Sequence, residues 1–194
     1  MPGCLYTVGH SNHGFEEFAR LLLANGVTAI ADVRSTPHST YNPQFNREAI
    51  SDGLREAGIA YVYLGNELGA RRLEPECYRG NRVDFASTSR SALFEQGLKR
   101  VAEGLKRFDI ALMCAEKEPL ECHRTGLICR YGQHRIGRAG HLRADGTVEL
   151  QDELESRLMF AAGQPEHDLF RSREERVADA YAWLEERVAY RRPS

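Results

Sequence analysis

Three stretches of this chain end in side chains that can carry charge, move protons or attack an electrophile. The richest is Asp109-Ile-Ala-Leu-Met-Cys114-Ala-Glu116-Lys117-Glu118-Pro119-Leu-Glu121-Cys122-His123-Arg124, an apolar run that leads into a thiol, a carboxylate and a charged loop. Cys114 is a candidate nucleophile wherever a helix N-terminus or a cation lowers its thiol pKa. Arg34, Lys117, His10, His123 and Arg124 are the candidates to supply that charge. Glu116 is the candidate acid or base beside it. Cys122 opens the following helix, a position that favours thiolates and anions. His123 and Arg124 sit where a helix disfavours cations, which points to a bound anion or to a carboxylate partner such as Glu116 or Asp32.

The second stretch, Thr7-Val8-Gly9-His10-Ser11, offers His10 for proton transfer after a tight glycine turn, with Ser11 or Asn12 free to cap the next helix. The third is Asp32-Val33-Arg34-Ser35. Asp32 and Arg34 alternate around Val33 and so share one face, Asp32 as orienter or base and Arg34 as a fork for carboxylate or phosphate. Each group has a plainer reading. Cys114 can be a small buried hydrophobe, and Cys122, Thr125, Gly126 and Cys129 can be a stripe of small residues packing a helix on a sheet. Asp32 and Arg34 can satisfy each other, and His10 can bond only to backbone.

A soft zinc site from Cys114, Cys122 and His123 with His10 is an alternative. The gap between the cysteines matches neither a finger nor a ribbon, so the reading assigns no metal ligand and no cofactor and keeps zinc as an outside alternative.

The elements that must position these groups alternate. Strands are expected at 4–8, 27–33, 59–64 and 109–114, with helices at 15–25, after Asn46 through Leu54 and Ala57, at about 89–107 and at about 121–133. Gly26 and Gly58 are the expected helix stops. A weak strand at 139–142 precedes the Asp145-Gly146 turn, and helices at 148–162 and 173–190 close the chain, where Trp183, Tyr181 and Tyr190 read as a packed face. The segment 65–90, rich in Gly, Pro and Arg, reads as a long loop or insertion in which Glu67, Arg71 and Arg72 could form a lid over an anion.

The expected fold is therefore α/β: a mostly parallel sheet of about five strands with helices on both faces, a three-layer arrangement of Rossmann-like or rhodanese-like topology. Residues 1–165 would form the α/β domain, and 166–194 a helical extension packed on it. All three polar stretches then lie at the strands' carboxyl ends, where such sheets bind ligands.

The 194 residues suffice for one core, and 42% hydrophobic with 28% charged residues is ordinary for a globular chain. A net charge of −2 gives no global field toward nucleic acid. Five cysteines at irregular spacing, with no leader ahead of them, fit free thiols in a reducing cytoplasm. No apolar run spans a membrane.

Taken together, Thr7-Val-Gly-His10-Ser-Asn, Asp32-Val-Arg-Ser, Asn42-Pro-Gln-Phe-Asn46, Leu112-Met-Cys-Ala-Glu-Lys and Glu121-Cys-His-Arg124 resemble domain-of-unknown-function family 488, DUF488, from about Leu5 to Leu158. The resemblance implies an α/β domain of bacterial or archaeal cytoplasmic type, in a family without established activity. Its motif positions here are His10, Ser11, Asp32, Arg34, Asn42, Phe45, Asn46, Cys114, Glu116, Cys122, His123 and Arg124. It adds Ser11, Asn42 and Asn46 to Arg34, Cys122, His123 and Arg124 as anion-binding candidates, beside Cys114, His10, Glu116 and Asp32 as catalytic ones.

The Asp-Val-Arg ending is also similar to rhodanese-like domains. Those place an Arg five or six residues after the catalytic Cys, where this chain has Pro119 and Leu120, so a thiol–phosphate cradle of that type is not expected.

The functional expectation is an enzyme, a hydrolase or transferase, acting on a small anionic substrate such as a nucleotide or nucleic-acid component. The alternatives are the metal site, or a non-catalytic nucleic-acid-binding module using the arginines of 71–90 with Arg171, Arg173 and Arg176. A homodimer is compatible with the sequence, and no membrane partner is expected.

Overall fold

A computed structural model describes residues 3–193. The strands are β1 (Leu5–Gly9), β2 (Ala29–Asp32), β3 (Ala60–Tyr63), β4 (Tyr78–Arg79), β5 (Arg82–Val83), β6 (Ile110–Cys114), β7 (Gly140–Leu142) and β8 (Val148–Leu150). The helices are α1 (Phe15–Ala24), α2 (Arg47–Glu56), α3 (Gly65–Leu68), α4 (Phe85–Thr88), α5 (Ala92–Gly104), α6 (Arg130–Ile136), α7 (Gln151–Ala161) and α8 (Arg173–Val188).

Six strands form one sheet in the order β3-β2-β6-β1-β7-β8. All its pairings are parallel except β7 with β8. The near-continuous apolar β2 and β6 lie inside the sheet, buried on both faces, as parallel strands require. One apolar layer joins Phe18 and Leu22 of α1 and Ile50 and Leu54 of α2 to Ile30, Ala111 and Met113. The other joins Leu98 and Val101 of α5, Leu127, Ile128 and Ile136 to Ala29, Ala31, Ile110 and Leu112. This is the expected three-layer α/β arrangement, with one more strand than the pattern predicted.

Local chemistry sets the ends. Gly26 and Gly58 take φ of 70° and 75° just beyond α1 and α2. Ser91 accepts from Phe94 N to start α5, and Ser172 with Glu175 forms a capping box on α8. Helix α8 packs on α7 through Leu158, Met159, Ala180, Tyr181 and Leu184.

Four local expectations need correction. Val148–Leu150 is a strand paired antiparallel to β7, and the helix starts only at Gln151. Three residues are too few to display a period, and their burial is set by the partner strand. Segment 65–90 is structured: it holds α3, a short antiparallel β4–β5 hairpin and α4, whose Asp84 cap accepts from Ser87 N. The stretch 121–133 is a 3₁₀ turn at Pro119–Glu121, then a π-helical turn at Arg124–Cys129, then α6. Finally, α8 ends at Val188. Tyr190 and Arg191 run beside β5 instead, with Val83 N donating to Tyr190 O at 2.9 Å and a bridge between Arg82 and Arg191. No helix among the described residues is long and apolar enough to cross a membrane.

Candidate functional site

Strand alternation sorts the polar groups at the sheet's carboxyl edge into two clusters. Asp32 follows Ile30 toward the α1/α2 layer, whereas Cys114 follows Leu112 toward the α5/α6 layer. The register pairs Asp32 with Met113 and Gly9 with Cys114, so the clusters are neighbours on opposite faces of one sheet edge.

The first cluster is a closed network. The Asp32 carboxylate accepts from Arg34 Nε at 2.9 Å, Arg34 Nη2 at 2.6 Å, Arg34 N at 3.1 Å and Tyr61 OH at 2.8 Å. Arg34 also donates Nη2 to the Phe45 carbonyl at 2.8 Å and Nη1 to His10 Nε2 at 3.1 Å. His10 donates Nδ1 to the Ser11 carbonyl at 2.8 Å, which fixes the neutral tautomer, and its ring stacks on Phe45 at 4.3 Å. Burial, then the Arg34 charge, lower the His10 pKa to about 4. Burial and Asp32 raise that of Tyr61. Both nitrogens of His10 are occupied, so this network holds Arg34 and the strand-end loops in place.

The second cluster is open. Cys114 Sγ lies 3.6 Å and Cys122 Sγ 3.7 Å from the same atom, His123 Nδ1. All three residues are buried, and their ligating atoms lie within 4.8 Å of one another. Cys122 Sγ also lies 3.2 Å from Glu116 Oε2 and accepts from Arg124 N at 3.4 Å. The hydrogen bond from Cys114 to Cys122 and burial hold the Cys114 thiol well above its usual value. Burial opposes ionisation of Cys122, but that same hydrogen bond and the positive Arg124 and His123 outweigh it and hold its thiol well below the usual value. Burial works against a charged His123, but its interactions with Cys122 and Glu116 more than offset it and raise its pKa. Glu116 sits on an exposed loop with its carboxylate turned inward; desolvation there and the Cys122 charge raise its pKa. His123 Nε2, Arg124 Nε and Thr125 Oγ1 are buried without a hydrogen-bond partner.

Two features press these clusters together. A Cβ on Gly9 would stand 1.9 Å from the Glu116 carbonyl oxygen, so the loop after β6 lies directly on β1. Arg124, with no exposed surface, donates Nη1 to the Glu116 carbonyl at 2.6 Å and Nη2 to the Lys117 carbonyl at 3.1 Å. Its charge is spent on that loop and on Cys122.

A cavity of about 280 Å³ opens at this edge. Arg34, Cys114, Ala115, Glu116 and His123 form its inner wall, and Ser35, Thr36, Ala70, Arg71, Val188 and Tyr190 its outer wall. A second cavity of about 900 Å³ shares Ser35, Thr36, Arg71 and Tyr190 with it. A separate apolar cavity of about 650 Å³ between β2, β3 and α5 holds none of the candidate residues.

Residues 14–130 match a family model, Domain of unknown function DUF488. The chain belongs to the DUF488 family. No curated protein and no solved structure matches it.

Within the DUF488 segment, Arg34, Cys114, Glu116 and His123 reach the cavity, while Asp32, Cys122 and Arg124 stand behind them. His10 lies just ahead of the segment and joins the closed network. Ser11 does not line the cavity; it adopts a left-handed backbone, φ 49°, as its N donates to Ala115 O at 3.0 Å. Asn42 and Asn46 also lie away from the cavity. Asn46 Oδ1 accepts from Ser39 N at 2.6 Å and Asn42 N donates to Ser39 Oγ at 3.2 Å, so both brace the loop before α2. Glu67 and Arg72 are buried, Glu67 against Arg100 and Arg72 against Glu74 and the Glu67 carbonyl, whereas Arg71 is exposed at the cavity rim.

Sequence reasoning missed Tyr61 and Arg192, and it read Tyr190 as part of a packed helix face rather than as a cavity wall. Tyr61 carried only a strand pattern. Tyr190 and Arg192 lie in an extended tail whose partner, β5, is too short to show in the sequence.

Proposed function

We propose that this chain is a zinc-dependent hydrolase in which Cys114, Cys122 and His123 hold the ion and Glu116 handles the proton. The observation that carries this reading is the pair of distances from one imidazole nitrogen to the two sulfurs, 3.6 and 3.7 Å. Zn–S bonds of about 2.3 Å and Zn–N bonds of about 2.0–2.1 Å subtend an S···N edge of about 3.6 Å at the tetrahedral angle. Two thiolates and an imidazole are also a favoured zinc donor set.

Three protein ligands leave a fourth position for water, the arrangement of catalytic rather than structural zinc. Cys114 and His123 line the inner cavity together with Glu116, so water held there has access to a substrate and a carboxylate beside it. A His/Cys/Cys zinc with a non-ligating Glu is an established arrangement for hydrolytic deamination of nucleobases. Held by Cys114, Cys122 and His123, a zinc ion would supply Lewis acidity and an activated water, and Glu116 would be the group that takes up a proton there and returns it to the leaving group. Arg71 on the outer wall supports a small anionic substrate.

Cys114 as a nucleophile is a weaker reading. It is only 3% exposed, and its sulfur is already held between Cys122 and His123.

Elemental analysis of untagged protein from zinc-supplemented medium tests the site. The expected result is about one zinc per chain, falling at least tenfold in Cys122→Ser and in His123→Ala. Removing the metal should abolish hydrolysis across a panel of phosphoester, amide and amidine substrates, and Glu116→Gln should lower it about 10²–10⁴-fold with the metal retained. Metal-free wild-type protein whose two thiols form a disulfide even after zinc is offered would overturn the reading.

A further inference from the structure

We propose that the groove leading out of the inner cavity binds a phosphorylated nucleoside, with Arg71 and Arg192 facing its phosphate and Tyr190 stacking its base. This deepens the hydrolase reading by naming the substrate class, and it rests on that reading only for the reaction, since Arg71, Arg192, Tyr78 and Tyr190 are none of the proposed zinc ligands.

The inner and outer cavities are continuous through Ser35, Thr36, Arg71 and Tyr190, giving a path from Cys114 and Glu116 outward to Tyr78 and Arg192. Volumes of about 280 and 900 Å³ suit a ligand of nucleotide size with its reacting end innermost.

Of the three arginines that line the outer cavity, Arg71 and Arg192 have no carboxylate partner among the described residues, a state shared away from the groove by Arg47, Arg107, Arg130 and Arg187, which also lie over aromatic rings. Arg72, Arg82, Arg100, Arg143 and Arg157 are each tied to carboxylates. Among the described residues, Arg71 and Arg192 make no ion pair; each guanidinium lies over an aromatic ring instead, Arg71 at 5.1 Å from the Tyr190 centroid and Arg192 at 3.7 Å from that of Tyr78. Stacking on a ring leaves the edge N–H donors of a guanidinium free, and those donors match phosphate oxygens. The same Tyr–Arg pairs are platforms for a planar base, as in single-strand nucleic-acid sites. Ser35 and Thr36 place hydroxyls at the junction, and the one acidic group on this wall, Glu74, is neutralised by Arg72.

The backbone fixes this wall firmly. Tyr190 O accepts from Val83 N at 2.9 Å, Arg192 N donates to Asn81 O at 2.8 Å and Arg71 N donates to Ser35 Oγ at 2.9 Å. The cations are therefore presented from anchored main chain.

The test is equilibrium binding to the metal-loaded full chain, with four probes: inorganic phosphate, an unphosphorylated nucleoside, a nucleoside 5′-monophosphate and a short single-stranded oligonucleotide. The monophosphate should bind at least about tenfold more tightly than phosphate or nucleoside alone. Arg71→Met and Tyr190→Ala should each weaken it about tenfold, Tyr190→Phe should retain it, and all three should keep the wild-type zinc content. His123→Ala should lose zinc yet bind the monophosphate within about threefold of wild type, which separates failure of the groove from failure of the metal site. An oligonucleotide that binds more tightly than the monophosphate identifies a strand as the source, and equal binding identifies the free nucleotide. No saturable binding of either phosphorylated probe, or wild-type affinity in both Arg71→Met and Tyr190→Ala, would overturn the proposal.

Discussion

Two clusters of polar side chains meet at one edge of the sheet, and they differ in what is left over. Around Asp32 every strong hydrogen-bonding group has a partner: both carboxylate oxygens, three guanidinium nitrogens and both His10 nitrogens are engaged. Around Cys114 two sulfurs converge on one nitrogen, and His123 Nε2 has no partner at all. A buried polar group without a partner costs free energy, and the proposed ion would engage Nδ1 and the two sulfurs rather than Nε2. Under the proposed function the closed cluster is scaffold and the open one the site, although their residues looked alike in sequence. What separates them is the strand period of two, which sends Asp32 and Cys114 to opposite faces.

The contrast breaks most visibly in the closed cluster. Asp32→Ala leaves the Arg34 charge buried and unpaired and should destabilise the protein by about 3–5 kcal/mol, measured by urea unfolding. Cys122→Ser, assayed without metal, should cost about 1 kcal/mol or less while losing zinc binding. Equal losses in the two variants would end the distinction between scaffold and site.

The next largest effect is on acid stability. His10 and His141 have pKa values lowered to about 4, chiefly by burial, against an ordinary 6.5. Between those values the unfolded chain binds protons that the folded chain refuses, so stability rises with pH across that window. The contribution is complete above about pH 6.5 and lost as pH falls to about 4, at most about 3 kcal/mol for each histidine. His10→Gln should flatten the dependence of the urea midpoint on pH between 4 and 6.5, and an unchanged slope would remove His10 from the closed network.

Gly9→Ala should reach both clusters at once, because its Cβ meets the Glu116 carbonyl and must displace the loop after β6. A loss of about 1–3 kcal/mol together with weaker zinc retention is expected. Zinc content unchanged in a destabilised Gly9→Ala would show that the loop moves without the ligands. The smallest effect is that of Tyr61→Phe, which deletes one hydrogen bond to Asp32 and should cost about 1 kcal/mol with zinc content untouched.

Much of the fold was legible because its signals are local. Apolar runs at β1, β2 and β6 separated by helical spacing, with glycine stops at Gly26 and Gly58, dictate a parallel sheet and place the polar residues at one edge. The β4–β5 hairpin and β8 escaped because strands of two or three residues carry no period, and their pairing depends on distant chain. In the candidate site, Cys114, Glu116, Cys122 and His123 were found as chemistry-bearing residues on neighbouring segments. That both sulfurs face one imidazole nitrogen was hidden, because the loop 115–121 that folds Cys122 back over Cys114 is held by Arg124 through backbone carbonyls. Arg124 itself read as an anion ligand, since nothing in its neighbours reveals that those carbonyls claim it. Tyr61 was invisible for a similar reason: its hydroxyl matters only once β3 lies beside β2.

The tail that runs beside β5 carries Tyr190 and Arg192, and both lie beyond residues 14–130. Cys114, Cys122 and His123 lie within that stretch, as do Ser35, Thr36, Arg71 and Tyr78 of the groove, so the tail supplies one separate part of the outer wall. Exchanging the tail for another extended segment would re-tailor that part of the outer wall while leaving Cys114, Cys122 and His123 alone, so under the proposed function it is the natural place to graft a new selectivity.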